Sequence, residues 1–264
     1  TAGVMAHHNS DLKGFGFYPG IDISYRISDY LTLYSSSNKT LRMPTFTDMF
    51  YKSPVQQGNP ALEPEEAVSI EGGLKFDNSY LKGNISAFHR QGYNLIDWVK
   101  SPAPDSIIWR SMNHTHINFT GLEGSMTFTP LQTGPLERVR SASISYSFLK
   151  ADSSRNNMLS KYSLDYLRHQ VTAGIDVRIS WKLFYSGRIT FQDRNGAYQD
   201  AGGQTVPYKS FWLSDMKLYW KGNHYTLYAE ASNIFNARYY DFGGIIQPGR
   251  WFRGGIVVDL DYKK

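Results

Sequence analysis

Val171-Thr172-Ala173-Gly174-Ile175-Asp176-Val177-Arg178-Ile179-Ser180 runs directly into Trp181-Lys182-Leu183-Phe184-Tyr185-Ser186-Gly187-Arg188-Ile189-Thr190-Phe191-Gln192, and this stretch decides the fold. In its first half Val171, Ala173, Ile175, Val177 and Ile179 alternate with Thr172, Gly174, Asp176, Arg178 and Ser180. In its second half Trp181, Leu183, Tyr185, Gly187, Ile189 and Phe191 alternate with Lys182, Phe184, Ser186, Arg188, Thr190 and Gln192. Successive side chains of a strand point to opposite faces, so a period of two makes a ribbon apolar on one side and wet on the other. The two ribbons meet at Ser180, which leaves room only for a tight turn. The stretch therefore reads as an antiparallel hairpin of two long amphipathic strands.

The same pattern extends outward in both directions. Ala142, Ile144, Tyr146 and Phe148 alternate with serines 141, 143, 145 and 147. Val68, Ile70, Gly72, Leu74 and Phe76 face away from Ser69, Glu71 and Lys75. Near the carboxy terminus Phe252, Gly254, Ile256, Val258, Leu260 and Tyr262 keep step against Arg253, Gly255, Val257, Asp259 and Asp261. Eleven strands are expected, at about 15–27, 30–38, 66–77, 80–92, 116–129, 138–150, 165–179, 181–194, 208–221, 224–232 and 249–262, with residues 1–8 as the remnant of a twelfth. Most exceed the ~5–6 residues usual in soluble sheets.

Connection lengths give a second, independent signal. Short turns fall at Ser28-Asp29, Asp77-Asn78-Ser79, Ser180 and Gly222-Asn223, with a slightly longer one at 132–137. Long connections lie between them, at roughly 38–66, 93–115, 151–164, 195–207 and 233–249. Tight turns on one rim and long loops on the other are the habit of outer-membrane barrels. The expected fold class is all-β, an antiparallel transmembrane β-barrel of about 11–12 strands in this chain.

Composition agrees. Aromatics reach 15%, with 19 Tyr and 15 Phe, while charged residues make up only 19%. Mean hydropathy is nevertheless negative. Such a balance suits one face in lipid and one in water. Cysteine is absent, which excludes disulfides and thiolate metal sites. No stretch reaches the ~18–20 apolar residues of a membrane helix. The net charge of +5 comes from scattered Lys and Arg with no basic run, so no nucleic-acid partner is expected. Thr1 begins in mid-pattern without a leader, and the expectation is that an export signal belongs to a preceding amino-terminal part.

Several loop segments carry a resemblance. Arg42-Met43-Pro44-Thr45-Phe46-Thr47-Asp48-Met49-Phe50 is followed by Gly58-Asn59-Pro60-Ala61-Leu62-Glu63-Pro64-Glu65. Ser86-Ala87-Phe88-His89-Arg90 leads through to Leu95-Ile96-Asp97-Trp98, and Gly121-Leu122-Glu123 opens a later strand. Ala231-Ser232-Asn233-Ile234-Phe235-Asn236 precedes Tyr239-Tyr240, and Pro248-Gly249-Arg250 enters the last strand. In this order and spacing the segments resemble the TonB-dependent receptors, with the vitamin B12 (cobalamin) transporters as the nearest branch, mainly over Asn84–Trp98 and from Gly121 to Gly134-Pro135-Leu136. The terminal Arg253–Leu260 segment resembles strands read by the barrel-assembly machinery, although Lys263 and Lys264 follow where a terminal Phe is usual.

The resemblance implies a 22-stranded receptor barrel blocked by an amino-terminal plug. Residues 1–264 would be its carboxy-terminal portion, without the plug and the TonB box. It implies a bacterial outer-membrane location, contact with outer-membrane lipid, TonB as a partner through the missing amino-terminal part, and a metal-chelate cargo such as cobalamin or a ferric siderophore. A row of strands cut from a larger closed sheet leaves two open edges, which lipid does not tolerate. The expectation is therefore a longer protein or a smaller closed or paired assembly.

Catalytic chemistry is not indicated. Gly14-Phe15-Gly16 opens a strand and is no phosphate cradle. His114 and His116 share a strand face but lack a third ligand, and His7-His8 is discounted likewise. Glu63, Glu65 and Glu66 read as a loop-to-strand junction. No cofactor, metal or enzyme activity is expected. The candidate cargo-contacting residues are Arg42, Tyr51, Tyr93, Trp98, Trp109, Tyr198, Tyr239, Tyr240 and Phe242, in or near the long connections. The competing reading of the aromatics is the girdle at lipid headgroups, and Tyr18, Trp181, Trp212 and Trp220 are read as girdle or barrel-wall residues. Two other functions fit part of the pattern: a passive porin-type channel, and a soluble carbohydrate-binding β-sandwich.

Overall fold

The computed structural model describes residues 1–8, 15–101, 103, 106–131, 133–153, 158–160, 166–200, 202–241 and 244–259. Its framework is twelve long strands: β1 (Ala2–His8), β2 (Phe15–Ser28), β3 (Leu31–Arg42), β4 (Glu65–Asp77), β5 (Leu81–Lys100), β6 (Trp109–Phe128), β7 (Val139–Ser153), β8 (Leu167–Arg178), β9 (Leu183–Arg194), β10 (Phe211–Lys221), β11 (Tyr225–Ser232) and β12 (Trp251–Val258). Each neighbours the strand before and after it in sequence, an up-and-down meander. The remnant strand at 1–8 is present, paired antiparallel with β2 from Ala2↔Ile21 to His8↔Phe15.

The tight turns fall where the sequence puts them, at 29–30, 78–80, 179–182 and 222–224. One expectation is corrected. Residues 93–100 and 109–115 are not loop but the far ends of β5 and β6, each 20 residues long. The alternation fails there because Asp97, Trp98 and Val99 are buried one after another. With both faces covered, side-chain parity carries no signal.

The chain divides into two compact units. One comprises Thr1–Lys75, Ile85–Leu122 and Leu149–Tyr166, and the other Phe76–Asn84, Glu123–Phe148 and Leu167–Lys264. In the second unit the register shows the two faces directly. One row runs Ser141, Asp176, Ser186, Lys217, Glu230, Arg253 across six strands. The neighbouring row on the other face runs Val177, Tyr185, Leu218, Ala229, Gly254. Beside it lie Leu183, Trp220, Leu227 and Ile256.

The apolar face is uncovered. Ile256 is 58% exposed and Val258 56%, with Ile144, Ile175, Ile189, Leu218 and Leu227 open as well. Leu260, expected on this wall, lies outside the described residues. Burying one such side chain is worth about 1.5–3 kcal/mol, and soluble monomers rarely expose contiguous apolar patches beyond a few hundred Å². This face therefore requires an apolar solvent. Trp212 and Trp220 share it, eight residues apart on β10, which is about 27 Å along the strand, or roughly 21 Å of depth at a tilt of about 40°. Barrel girdles flank an apolar band of about that height.

Of the two readings, girdle or barrel wall, Tyr18 takes the wall, within β2. It is out of phase with exposed Phe17, Ile21, Ile23, Tyr25 and Ile27 and is itself only 7% exposed. Its hydroxyl donates to Glu66 Oε1 at 3.1 Å, and the Lys39 ammonium sits 5.2 Å from its ring centre. A phenol so covered does not contact lipid.

Candidate functional site

In the first unit the loop after β3 is organised around two carboxylates. Thr45 caps a single helical turn, α1 (Phe46–Phe50), through a capping box in which the Thr45 and Asp48 side chains each accept the other's backbone N–H. Asp48 Oδ1 also accepts the Trp98 indole N–H at 3.2 Å. Tyr51 meets Trp98 edge-on, with centroids 6.4 Å apart. A buried indole needs a partner for its N–H, and Asp48 supplies it.

The second carboxylate is Glu65. Arg42 grips both of its oxygens through Nε and a terminal nitrogen, and the Ile96 backbone N–H donates to Oε1 at 2.7 Å. The Glu65 side chain is 10% exposed, against 51% for Arg42. One carboxylate thus ties β3, β4 and β5 together at their loop ends.

The Gly58–Glu65 string now has a physical account. Gly58 donates its N–H to Tyr51 O at 2.7 Å, and a Cβ there would lie 2.7 Å from the Met49 carbonyl oxygen. Only glycine permits that approach of loop to helix. Asn59 Oδ1 accepts the Ala61 N–H at 3.0 Å, the local bond that makes an Asx turn, and Leu62 is buried behind it. Asn113 then clamps the end of the string: its Oδ1 accepts the Glu63 N–H, and its Nδ2 donates to the carbonyls of Glu63 and Asn94.

The second unit holds a different cluster. A hairpin of Ala197–Gln199 with Thr205–Pro207 and another of Tyr240–Asp241 with Ile245–Ile246 rise from β9–β10 and β11–β12. Tyr198 stacks on Tyr240 at 4.7 Å and leans on Tyr208 at 5.3 Å, while Tyr239 packs on Phe211 at 4.4 Å. Gly244 has φ +72° and presses against the Tyr198 ring, where a Cβ would come within 2.7 Å. Arg194 pairs with Asp241. The turn beneath is fixed by Asn233, whose φ is 49°, and whose side chain accepts from Ala237 N at 2.8 Å and donates to Ala237 O. Asn236, φ 53°, accepts the Arg250 N–H at 2.9 Å. Asn tolerates these left-handed positions, which explains the Asn-x-x-Asn spacing. Burial, and then the neighbouring Tyr240, raises the Tyr198 phenol above its ordinary value. Burial first, then Asp241 and Asp215, does the same for Tyr239.

The sequence-selected residues thus separate into kinds. Tyr51 and Tyr240 are exposed, and Tyr93, Trp109, Tyr198 and Tyr239 are half-buried. Trp98 is 5% exposed and Arg42 is held by Glu65. Phe242 lies outside the described residues. Tyr93 faces His116 edge-on at 4.8 Å, and Lys100 lies over the Trp109 ring at 5.1 Å. The His114 side chain lies outside the described residues. No group of three possible metal ligands occurs among the described residues. Sequence reasoning missed Asp48, Asn94 and Asn113. It also missed Phe46 and Phe50, exposed on α1 with centroids 5.9 Å apart. Phe46 and Asp48 stand inside the Arg42–Phe50 motif, so the signal was present but unread.

Meandering strands with a lipid-ready face and a polar face, and a built loop cluster in each unit, are the features of a membrane β-barrel. Residues 1–234 match the family model described as TonB dependent receptor-like, beta-barrel, and the chain belongs to that family. It is similar to the vitamin B12 transporter BtuB of Vibrio vulnificus, 29% identical over 139 residues, which is 53% of this chain and 20% of that protein. It is also similar to the vitamin B12 transporter BtuB of Photobacterium profundum, at 25% over 219 residues, 82% of this chain and 33% of that protein. Among solved structures, the FrpB iron transporter of Neisseria meningitidis (F3-3 variant) matches in fold with a TM-score of 0.69 at 17% identity, covering 92% of this chain and 39% of that one. The chain thus spans at most a third of the length of these two curated relatives.

Proposed function

We propose that this chain is part of the barrel of a bacterial outer-membrane receptor that takes up a metal chelate, cobalamin or a ferric siderophore, with TonB as its energy-delivering partner. Supporting this is the joint occurrence of family membership over residues 1–234 and the similarity to two proteins named vitamin B12 transporters. In this reading residues 1–264 belong to the carboxy-terminal barrel, and the plug and TonB box lie in another part of the protein. Its work is capture and transport rather than catalysis.

The cargo would meet the aromatic loops of each unit. Tyr51, Tyr93, Trp109, Tyr198, Tyr239, Tyr240 and Phe242 are proposed as its contacts, joined by Phe46 and Phe50. Flat rings offer large, rigid, amphipathic area to a bulky chelate. Arg42 and Trp98 are proposed as positioning residues that hold the loop in shape, because their own polar groups are already engaged.

The test is uptake by the full-length gene product in a host lacking its own cobalamin and siderophore receptors. Uptake of labelled cobalamin or ferric siderophore that disappears when TonB is deleted supports the reading. Cargo-independent leakage of small solutes, indifferent to TonB, supports a passive channel instead. Tyr51→Ala and Tyr240→Ala are each expected to weaken cargo binding about tenfold (~1.4 kcal/mol).

A further inference from the structure

On the tight-turn rim of the second unit, Lys182 lies half-buried between two indole rings. Its ammonium is 4.2 Å from the Trp181 ring centre and 5.4 Å from that of Trp220. Trp220 in turn packs on Tyr225 at 5.4 Å. Trp220 belongs to the apolar face, in the row of Leu183, Leu227 and Ile256. Trp181 is 80% exposed. Lys221 and His224, both exposed, flank the next turn, and Lys221 donates its backbone N–H to Lys182 O at 2.9 Å.

No carboxylate of the described residues pairs with Lys182. This sets it apart from the cations of the opposite face, where Lys217 and Arg253 both reach Glu230. The aromatic faces stabilise the ammonium and fix its position, but they accept none of its three N–H bonds fully. A positioned cation without a counter-ion, at the edge of an apolar wall, is matched by a ligand with an anionic head and an apolar tail.

We propose that Trp181, Lys182, Trp220 and Tyr225 form a binding site for the phosphate headgroup of an anionic phospholipid, whose acyl chains lie along Leu227, Ile256 and Val258. The site takes phosphatidylglycerol in preference to phosphatidylcholine of the same chains, because the choline head is zwitterionic and cancels the attraction. The lysine contributes about a fivefold preference, the usual effect of one cation near an anionic membrane surface.

The test uses the full-length protein, stripped of lipid in detergent and titrated with each phospholipid by native mass spectrometry. Phosphatidylglycerol retained over phosphatidylcholine, with retention reduced about fivefold in Lys182→Gln and restored in Lys182→Arg, supports the site. Equal retention of the two lipids, or a Lys182→Gln variant indistinguishable from the parent, overturns it. Glycerol phosphate separates a lipid site from a small-anion site: displacement of the lipid by millimolar glycerol phosphate overturns the lipid assignment. Gel mobility with and without boiling verifies that each variant forms its barrel. If Lys182→Gln does not, Trp181→Leu replaces it, and unchanged phosphatidylglycerol retention in that variant overturns the proposal.

Discussion

The two loop clusters solve the same mechanical problem by different chemistry. Around Glu65 the organising group is a buried carboxylate with three donors, two from Arg42 and one from the Ile96 backbone. Around Tyr198 it is a pile of rings, with the Arg194–Asp241 pair at its margin. In each ion pair one partner is covered and the other open: Glu65 is 10% exposed against 51% for Arg42, and Arg194 12% against 48% for Asp241. The gain from an ion pair depends on how much water its partners lose and on what is stranded when one is removed. Exposure alone does not separate the pairs; what differs is that the first cluster is keyed to Glu65 as its hub, whereas the second is also held by its stacked rings.

Replacing Glu65 with Ala tests the keyed cluster and is expected to have the largest effect. It strands the Ile96 N–H and removes the partner that holds Arg42 in place. A buried donor left unsatisfied costs about 1–3 kcal/mol. Because Arg42 is half exposed and water can reach it, a total local loss of about 2 kcal/mol is expected. Amide hydrogen exchange should report it as faster exchange over 43–64 and 93–100, with the β8–β9 hairpin unchanged. Uniform acceleration across both units would show that Glu65 supports the whole sheet and would remove the contrast.

The matching change in the second cluster, Asp241→Asn, leaves an Oδ1 acceptor for the covered Arg194 guanidinium but removes the charge, and is expected to cost about 1 kcal/mol. Exchange in 197–207 and 239–246 should quicken by less than that around Glu65 does in Glu65→Ala. A loss as large as that of Glu65→Ala would mean that the rings depend on the ion pair and that both clusters are keyed.

The unequal legibility of these regions in sequence has the same physical origin. Where lipid wets one face and water the other, every second residue must be apolar. The strands from Ala142 to Phe191 can therefore be placed within a few residues, and the apolar partners Val177 and Tyr185 fall on the same face, as their alternation requires. Beyond the bilayer that constraint ends. The outer parts of β5 and β6 look like loop in sequence because Asp97, Trp98 and Val99 are all covered and Asn94 takes φ 54°. For Tyr18 parity decides between girdle and wall in favour of the wall: it stands between Phe17 and Pro19, out of step with the exposed row. Asn113 gives no signal, since a residue that clamps a chain segment 50 positions away leaves no local pattern.

The smallest effect concerns Tyr239, and it tests whether burial or charge dominates in the ring cluster. Its phenol is raised above the ordinary value of 10.0 by burial first, then by Asp241 and Asp215. The neutral form is therefore favoured in the folded loop. Below pH ~10 both folded and unfolded phenols are protonated and no pH dependence arises from this group. As pH rises past that point the unfolded loop loses its proton first, so the cluster's stability falls between the unfolded and the folded value. The tyrosinate difference absorbance of the parent against Tyr239→Phe should show one phenol titrating above the ordinary range. In the Asp241→Asn background that midpoint should move down only part of the way, because burial remains as the larger cause. A complete return to the ordinary value would assign the shift to Asp241 alone, and the ring cluster would then be organised by charge after all, as the Glu65 cluster is.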